Sequence, residues 1–93
     1  MENVTDKRLE TIEDLIGMVL AENKRQVEKH GVVSKSPYEW LAYLTEEVGE
    51  VSDALQSVEY RNGDWKKVRE EAIQVATLAL KIAEMSSQLG SVT

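Results

Sequence analysis

The stretch Tyr38–Leu55, YEWLAYLTEEVGEVSDAL, decides the fold of this chain. Its apolar residues recur at steps of three and four, which is the period of one face of an α-helix. They are Leu41, Leu44, Val48, Val51 and Leu55. The segment therefore predicts a helix that buries one apolar face, and the rest of the chain has to supply a surface for that face to pack on.

Four carboxylates accompany this apolar face: Glu46, Glu47, Glu50 and Asp53. Because a helix turns about 100° per residue, Glu47 and Glu50 lie on one flank, beside the apolar face and not opposite it. Like charges one turn apart repel by roughly 0.2–0.5 kcal/mol in water. A bound cation is the simplest way to offset that repulsion.

Length, composition and charge restrict the class of protein. The chain has 93 residues, no cysteine and a net charge of −6, and we expect residues 1–93 to form one domain. The absence of cysteine excludes disulfides and zinc–thiolate sites, while the acidic balance argues against nucleic acid as a partner. The sequence has no run of 18 or more apolar residues and no signal peptide, so we expect a cytoplasmic protein that has no membrane segment.

Capping and turn residues predict three helices. The first should run from about Asp6 to His30, with Thr5 or Asp6 as its cap and Gly31 as its stop. His30, the only histidine, is interpreted as a cation near a helix C-terminus and not as a catalytic group.

The second helix should run from Pro37 to about Glu59, and the third from Trp65 to about Leu89. Ser36 and Glu39 have the spacing of a capping box around Pro37. Turn residues and a cap separate the two helices, in the run Tyr60-Arg61-Asn62-Gly63-Asp64.

Apolar residues on the other two helices predict how the helices associate. The first helix has an apolar stripe formed by Leu9, Ile12, Ile16, Val19, Leu20 and Val27. The third is apolar on both sides of a single polar stripe, which consists of Lys66, Glu70, Gln74, Thr77, Lys81 and Glu84. A helix that is apolar on two sides needs two packing partners. We therefore expect an all-α protein whose three main helices form an intertwined, four-helix-bundle-type homo-oligomer.

Glu71 falls within the apolar surface of the third helix, between Val75 and Leu78 on a helical wheel. A buried carboxylate must be protonated, paired or bound to a metal. An ion pair with Lys67, one turn earlier, is one explanation of its position. Metal ligation is the other.

Two short acidic patterns indicate what metal and substrate would fit. They are Glu47-x-x-Glu50 on the second helix and Glu71-x-x-Gln74 on the third. Antiparallel helices would direct these oxygen ligands toward one centre. Oxygen ligands without histidine or cysteine favour Mg²⁺ or Mn²⁺, and Mg²⁺ favours phosphate oxygens. Glu46 is the candidate general base that would accept a proton from an attacking water.

The run Glu46-Glu47-Val48-Gly49-Glu50, followed by Glu70-Glu71-Ala72-Ile73-Gln74, resembles the MazG-like all-α NTP pyrophosphohydrolases. Their signature is E-E-x-x-E on one helix and E-x-x-D on the next, and the resemblance covers roughly residues 36 to 85. It implies Mg²⁺-dependent hydrolysis of a nucleoside triphosphate to the monophosphate and pyrophosphate. It also implies a homodimer or homotetramer, with Glu47, Glu50 and Glu71 as metal ligands.

The fourth position departs from the family pattern, because Gln74 stands where the family has aspartate. An amide oxygen can bind a metal but brings no charge. Asp53, one turn beyond Glu50, is the candidate to compensate for the missing charge. A one-metal enzyme, a different substrate range and a lapsed enzyme all remain open. Three further hypotheses also remain: a phosphoribosyl-ATP-type pyrophosphohydrolase, a non-catalytic helical oligomerisation module and a regulatory partner protein of the antitoxin type. Trp40 is interpreted as a core residue in preference to a base-stacking one.

Overall fold

The computed structural model describes residues 11–31 and 35–90, and within this part the chain is all-helical. The three helices are α1 (Ile12–His30), α2 (Pro37–Arg61) and α3 (Trp65–Gly90). Helix α3 packs against both of the others, whereas α1 and α2 do not contact each other in the described ranges. No helix among these residues is long and apolar enough to cross a membrane.

Local hydrogen bonds set the helix boundaries. Ser36 accepts a hydrogen bond from the backbone N–H of Glu39, and the Glu39 carboxylate accepts one from the backbone N–H of Ser36. The predicted capping box is therefore confirmed. At the other end of α1, the predicted stop at Gly31 is also confirmed, because Gly31 takes a φ of 74° and its N–H bonds the carbonyl of Val27 at 2.7 Å.

The predicted start of the first helix is wrong. Thr11 has extended backbone angles and forms a capping box with Asp14, so α1 begins at Ile12 and a helix cannot run on continuously from Asp6. A Thr–Asp pair spaced by three residues satisfies two free backbone N–H groups at once, which fixes the start of the helix there. The proposed caps Thr5 and Asp6, and Leu9, lie outside the described residues.

The turn between α2 and α3 uses the predicted residues. Asn62 adopts the left-handed conformation (φ 58°), and the N–H of Gly63 bonds the Ser57 carbonyl at 2.8 Å. Asp64 then accepts a hydrogen bond from the N–H of Lys66 at 2.9 Å, which confirms it as the cap of α3. This tight turn makes α2 and α3 an antiparallel hairpin.

Burial in the single chain is narrower than the apolar periodicity predicts. On α1, Val19 is buried, but Ile12, Ile16 and Leu20 are 68%, 53% and 65% exposed. The predicted apolar stripe is therefore largely uncovered in the single chain, because within residues 11–31 and 35–90 α1 contacts only α3. Trp40 is half-buried and its ring meets that of Tyr43 edge-on, so it is only partly a core residue.

The same is true of α2 and α3. On α2, Ala54 is buried and Leu44 and Val51 are half-buried, while Leu41 and Val48 stay exposed. On α3, the other two helices cover only part of the apolar surface. Leu78 is buried, but the side chains of Ala72, Ala79, Leu80 and Ala83 are exposed.

Candidate carboxylate site between α2 and α3

Glu71 is the most deeply buried acid in the described part of the chain, with 6% of its surface exposed. Its place within the apolar surface of α3 is therefore as the periodicity predicts. The Lys67 ammonium lies 2.7 Å from the Glu71 carboxylate, one turn away on the same helix. Of the two explanations for Glu71, the structure contains the ion pair with Lys67. Lys67 holds the pKa of the Glu71 carboxyl below its ordinary value, against the opposing effect of burial.

Glu47 reaches the same place from α2. Its carboxyl group lies next to that of Glu71, close enough for a hydrogen bond when one of the two is protonated. When both are ionised, Glu47 Oε1 is a buried oxygen without a hydrogen-bond donor among the described residues. Burial, followed by the neighbouring Glu71, raises the pKa of Glu47 to about 7. The pair therefore holds a shared proton below neutral pH.

The two carboxylates come together because each helix places one of them at the hairpin interface. On α2, Glu47 lies seven residues before the buried Ala54, and residues seven apart share a helical face. On α3, Glu71 lies seven residues before the buried Leu78. Both acids thus occupy positions at the hairpin interface, where an apolar side chain would normally pack. An acid at such a position costs stability unless it has a partner.

The remaining predicted site residues lie around this pair but do not enter it. Glu46 and Glu50 are exposed, and their charges reach Glu47 through space and help to raise its pKa. Glu50 also acts on Lys67 and so lies near the α3 side of the hairpin. Gln74 is half-buried one turn after Glu71. Asp53 is exposed, and its backbone carbonyl accepts a hydrogen bond from Arg61.

The structure does not bring the four predicted metal ligands together around one point. Across residues 11–31 and 35–90, no group of three or more histidine, cysteine or acidic side chains is arranged to hold a metal ion. The structure brings Glu47 and Glu71 together and leaves the Glu50 carboxylate at the edge. The metal assignments of Glu47, Glu50, Glu71 and Gln74 stay predictions.

Sequence reasoning missed a groove on the other side of α3. Lys81 donates a hydrogen bond to the side-chain oxygen of Asn23 on α1, and Thr77, assigned to the polar stripe, is 2% exposed and donates to the Ile73 carbonyl. A shallow groove of about 220 Å³ opens there, lined by Val19, Leu20, Asn23, Thr77, Leu80, Lys81 and Glu84. No local signal identifies the Asn23–Lys81 pair, because its members are 58 residues apart.

Comparison with family models, with curated proteins and with solved structures gives no match to this chain.

Proposed function

We propose that this chain is a Mg²⁺-dependent nucleoside triphosphate pyrophosphohydrolase. Its substrate is a (deoxy)nucleoside triphosphate, and its products are the monophosphate and pyrophosphate. The observation that carries the proposal is the pairing of Glu47 with Glu71 across the hairpin, with a buried Glu47 oxygen that lacks a donor. An orphaned carboxylate oxygen beside a second carboxylate is an arrangement that a cation would satisfy.

The side chains at this site carry the type of ligand atom that Mg²⁺ binds. The ligands on offer are carboxylate and amide oxygens, which hard divalent cations prefer. Mg²⁺ usually binds one or two protein carboxylates and completes its shell with waters and substrate phosphates. A two-carboxylate site, Glu47 with Glu71, is therefore sufficient, with Glu50 and Gln74 as the adjoining oxygen donors. Mn²⁺ has the same ligand preference and is the alternative metal.

The other side chains have roles that follow from their exposure. When bound, the cation would neutralise charge on the phosphate oxygens. The side chain of Lys67 is 60% exposed, so its ammonium is free to turn from Glu71 toward a phosphate. Glu46 is exposed beside Glu47, and we assign it the role of taking a proton from the water that attacks the α-phosphorus. The bond from that phosphorus to the bridging oxygen breaks, and pyrophosphate leaves.

The proposal includes a setting for this activity. A nucleotide-pool housecleaning role in the cytoplasm suits a small acidic enzyme that meets its substrate as a metal complex. A homodimer or homotetramer, built as a bundle of helices from more than one chain, would cover the apolar residues that a single chain leaves exposed.

Product analysis tests the proposal. The chain is incubated with a panel of dNTPs and NTPs in Mg²⁺, Mn²⁺ or EDTA, and the products are separated by ion exchange. We expect monophosphate and pyrophosphate in equal amounts with metal and none in EDTA. Glu47→Gln and Glu71→Gln should each lower kcat/KM at least 100-fold, whereas Glu59→Gln, an exposed acid near the end of α2, should leave it unchanged. Equal activity in all three variants would refute the assignment.

A non-catalytic oligomerisation module is the second candidate function, and one observation favours it. The Lys67 ion pair already satisfies Glu71 without a metal, so the carboxylates alone do not require an enzyme. On this interpretation no nucleotide is hydrolysed, and Mg²⁺ leaves the melting temperature unchanged. The product assay and a melt with and without Mg²⁺ separate the two functions.

A further inference from the structure

Tyr43 on α2 is an exposed aromatic residue whose ring is in contact with two neighbouring side chains. The residue is 44% exposed. The ring of Trp40 meets it edge-on, with the two ring centroids 6.2 Å apart and the planes at 62°. The Lys35 ammonium lies over the Tyr43 ring, 5.2 Å from its centroid. Tyr43 therefore presents a flat apolar surface that solvent reaches and that its neighbours hold in one orientation.

Trp40 is the more firmly packed member of this aromatic pair. It is half-buried, and it lies seven residues before Glu47, which places it on the side of α2 that faces α3. Packing at the hairpin interface restricts the indole ring, and the edge-on contact in turn restricts the ring of Tyr43. By comparison, Tyr60 near the end of α2 is 76% exposed and has no ring contact with any of the described residues.

The Tyr43 ring lies on the same flank of α2 as the carboxylate site. Tyr43 is seven residues before Glu50, so the two residues share a helical face. The charge of Glu50 in turn acts on both Glu47 and Lys67. Tyr43 precedes Glu47 by four residues, or about 6 Å along the helix axis. The aromatic ring and the acids are thus about one turn apart on one face of the helix.

This spacing suits a nucleoside triphosphate. In such a molecule a single sugar separates the α-phosphate from a flat base. A triphosphate held at Glu47 and Glu71 therefore places its base within reach of a ring one helical turn away. Sites for small molecules combine aromatic or apolar walls with a few polar groups, and α2 supplies both on this flank.

We propose that the base of the nucleotide stacks on the ring of Tyr43, in the position that the Lys35 ammonium occupies. This inference rests on the proposed function, because it takes the triphosphate to bind at Glu47 and Glu71. Every base has a π-face, so stacking on an aromatic ring tolerates any of them. Tyr43 therefore contributes affinity for all nucleotides and does not select among the bases.

The Lys35 ammonium can yield its place to a base. A single cation–π contact at a protein surface contributes little, whereas a base stacked on an aromatic side chain contributes more. The lysine side chain has a flexible four-carbon stem and three donor hydrogens. Its ammonium can therefore move from the face of the Tyr43 ring to an acceptor atom on the edge of the stacked base.

Steady-state kinetics on the full chain tests the role of the ring. Tyr43→Leu keeps an apolar side chain but removes the ring, so the KM for each nucleoside triphosphate should rise about 10-fold while kcat stays unchanged. Tyr43→Phe keeps the ring and should match the wild type, and so should Tyr60→Leu, the matched control on the same helix. The inhibition constant of inorganic tripolyphosphate, which has no base, should be equal in all four chains. A normal KM in Tyr43→Leu would refute the base site and leave the proposed hydrolysis standing.

A binding measurement distinguishes failure of this inference from failure of the proposed chemistry. The chain has two tryptophans, so Trp65→Phe leaves Trp40 as the only one, and its fluorescence reports on the ring beside it. The probes are α,β-methylene analogues of the four nucleoside triphosphates with Mg²⁺, which cannot be hydrolysed at that bridge. They should change the fluorescence of Trp40 saturably, and inorganic tripolyphosphate should not.

Each combination of results decides between the two proposals. A saturable change in a chain that hydrolyses no nucleotide would support the base site and refute the pyrophosphohydrolase. No change in a chain that does hydrolyse nucleotides would refute the base site alone. Neither binding nor hydrolysis would refute both.

Discussion

The Lys67 ammonium lies 2.7 Å from the Glu71 carboxylate, and the two ends of this pair are in different surroundings. Lys67 is 60% exposed at its side chain, whereas Glu71 is 8% exposed. Glu71 thus carries most of the desolvation cost, and it also has the Glu47 carboxyl beside it. Removal of the lysine would leave two neighbouring acids with no cation, so the pair stabilises the hairpin chiefly by preventing that repulsion.

Lys67→Met should therefore lower the free energy of unfolding by about 1–3 kcal/mol in metal-free buffer at pH 8, because it leaves a buried carboxylate unpaired. Lys66→Met is the matched control, since the Lys66 side chain is exposed one residue away, and it should change stability by less than about 0.5 kcal/mol. Urea denaturation measures both. If the two variants lose the same amount, the ion pair contributes nothing to the fold.

The titration of Glu47 should make the stability of the folded chain depend on pH. Burial and the nearby Glu71 raise its pKa to about 7 from an ordinary value of 4.5, so the folded state binds a proton more tightly than the unfolded state does. The resulting stability is fully present below pH 4.5 and is lost as the pH rises through 7.

Glu71 acts in the opposite sense. Lys67 lowers the pKa of Glu71, so the stability that Glu71 contributes is present above pH 4.5 and is lost as the pH falls further.

Glu47→Gln should abolish the loss of stability between pH 4.5 and 7 and should stabilise the protein at pH 8 by on the order of 1–2 kcal/mol. Thermal melts across this range measure the effect. An unchanged slope in Glu47→Gln would mean that another group titrates.

Glu50→Gln should remove hydrolysis without loss of the fold. Glu50 is exposed and adds negative charge to the Glu47 site, so neutralising it should leave the melting temperature in metal-free buffer unchanged or raise it slightly. Activity should fall at least 100-fold if its carboxylate binds the metal–phosphate complex. Unfolding of this variant would mark Glu50 as structural, and full activity would remove it from the site.

Two glycines should respond to alanine in opposite directions. A Cβ at Gly63 would collide with the Ser57 side chain and come within 2.9 Å of the Ser57 carbonyl carbon, so Gly63→Ala should cost about 1–3 kcal/mol. A Cβ at Gly49 would meet nothing within 4 Å, and Gly49→Ala should stabilise α2 by about 0.5–1 kcal/mol. Chemical denaturation compares the two. A Gly49→Ala variant that gains stability but loses activity would show that this glycine makes room for a ligand.

Much of the fold could be predicted because its signals act over a few residues. The capping box at Ser36, the stop at Gly31 and the turn at Asn62-Gly63 are each settled by hydrogen bonds within one or two turns of the chain. The predicted start of α1 is wrong although the signal for the true start is equally local. Thr11 and Asp14 form a capping box, but the charged and apolar residues before them continue the helical period.

The candidate site could be predicted only in part. Periodicity placed Glu71 in the apolar surface, and the same-helix spacing suggested Lys67 as its partner. Periodicity alone could not show that Glu47 and Glu71 meet while Glu50 stays at the edge, because that depends on the rotation of each helix in the hairpin. A rotation of a few tens of degrees would exchange Glu47 for Glu50 at the interface.

The sequence by itself determined three helices, the cap of α2, the stop of α1, the turn before α3, and an acid within the apolar surface of α3. A 3.6-residue period and local hydrogen bonds specify each of these without distant contacts. The tertiary structure alone decided which apolar residues stay uncovered and which polar groups meet across helices. Ile16 and Leu20 are exposed because, among the described helices, α1 packs only on α3, and this packing also brings Lys81 to Asn23, 58 residues away. Such pairings depend on how whole helices pack, which no short stretch of sequence encodes.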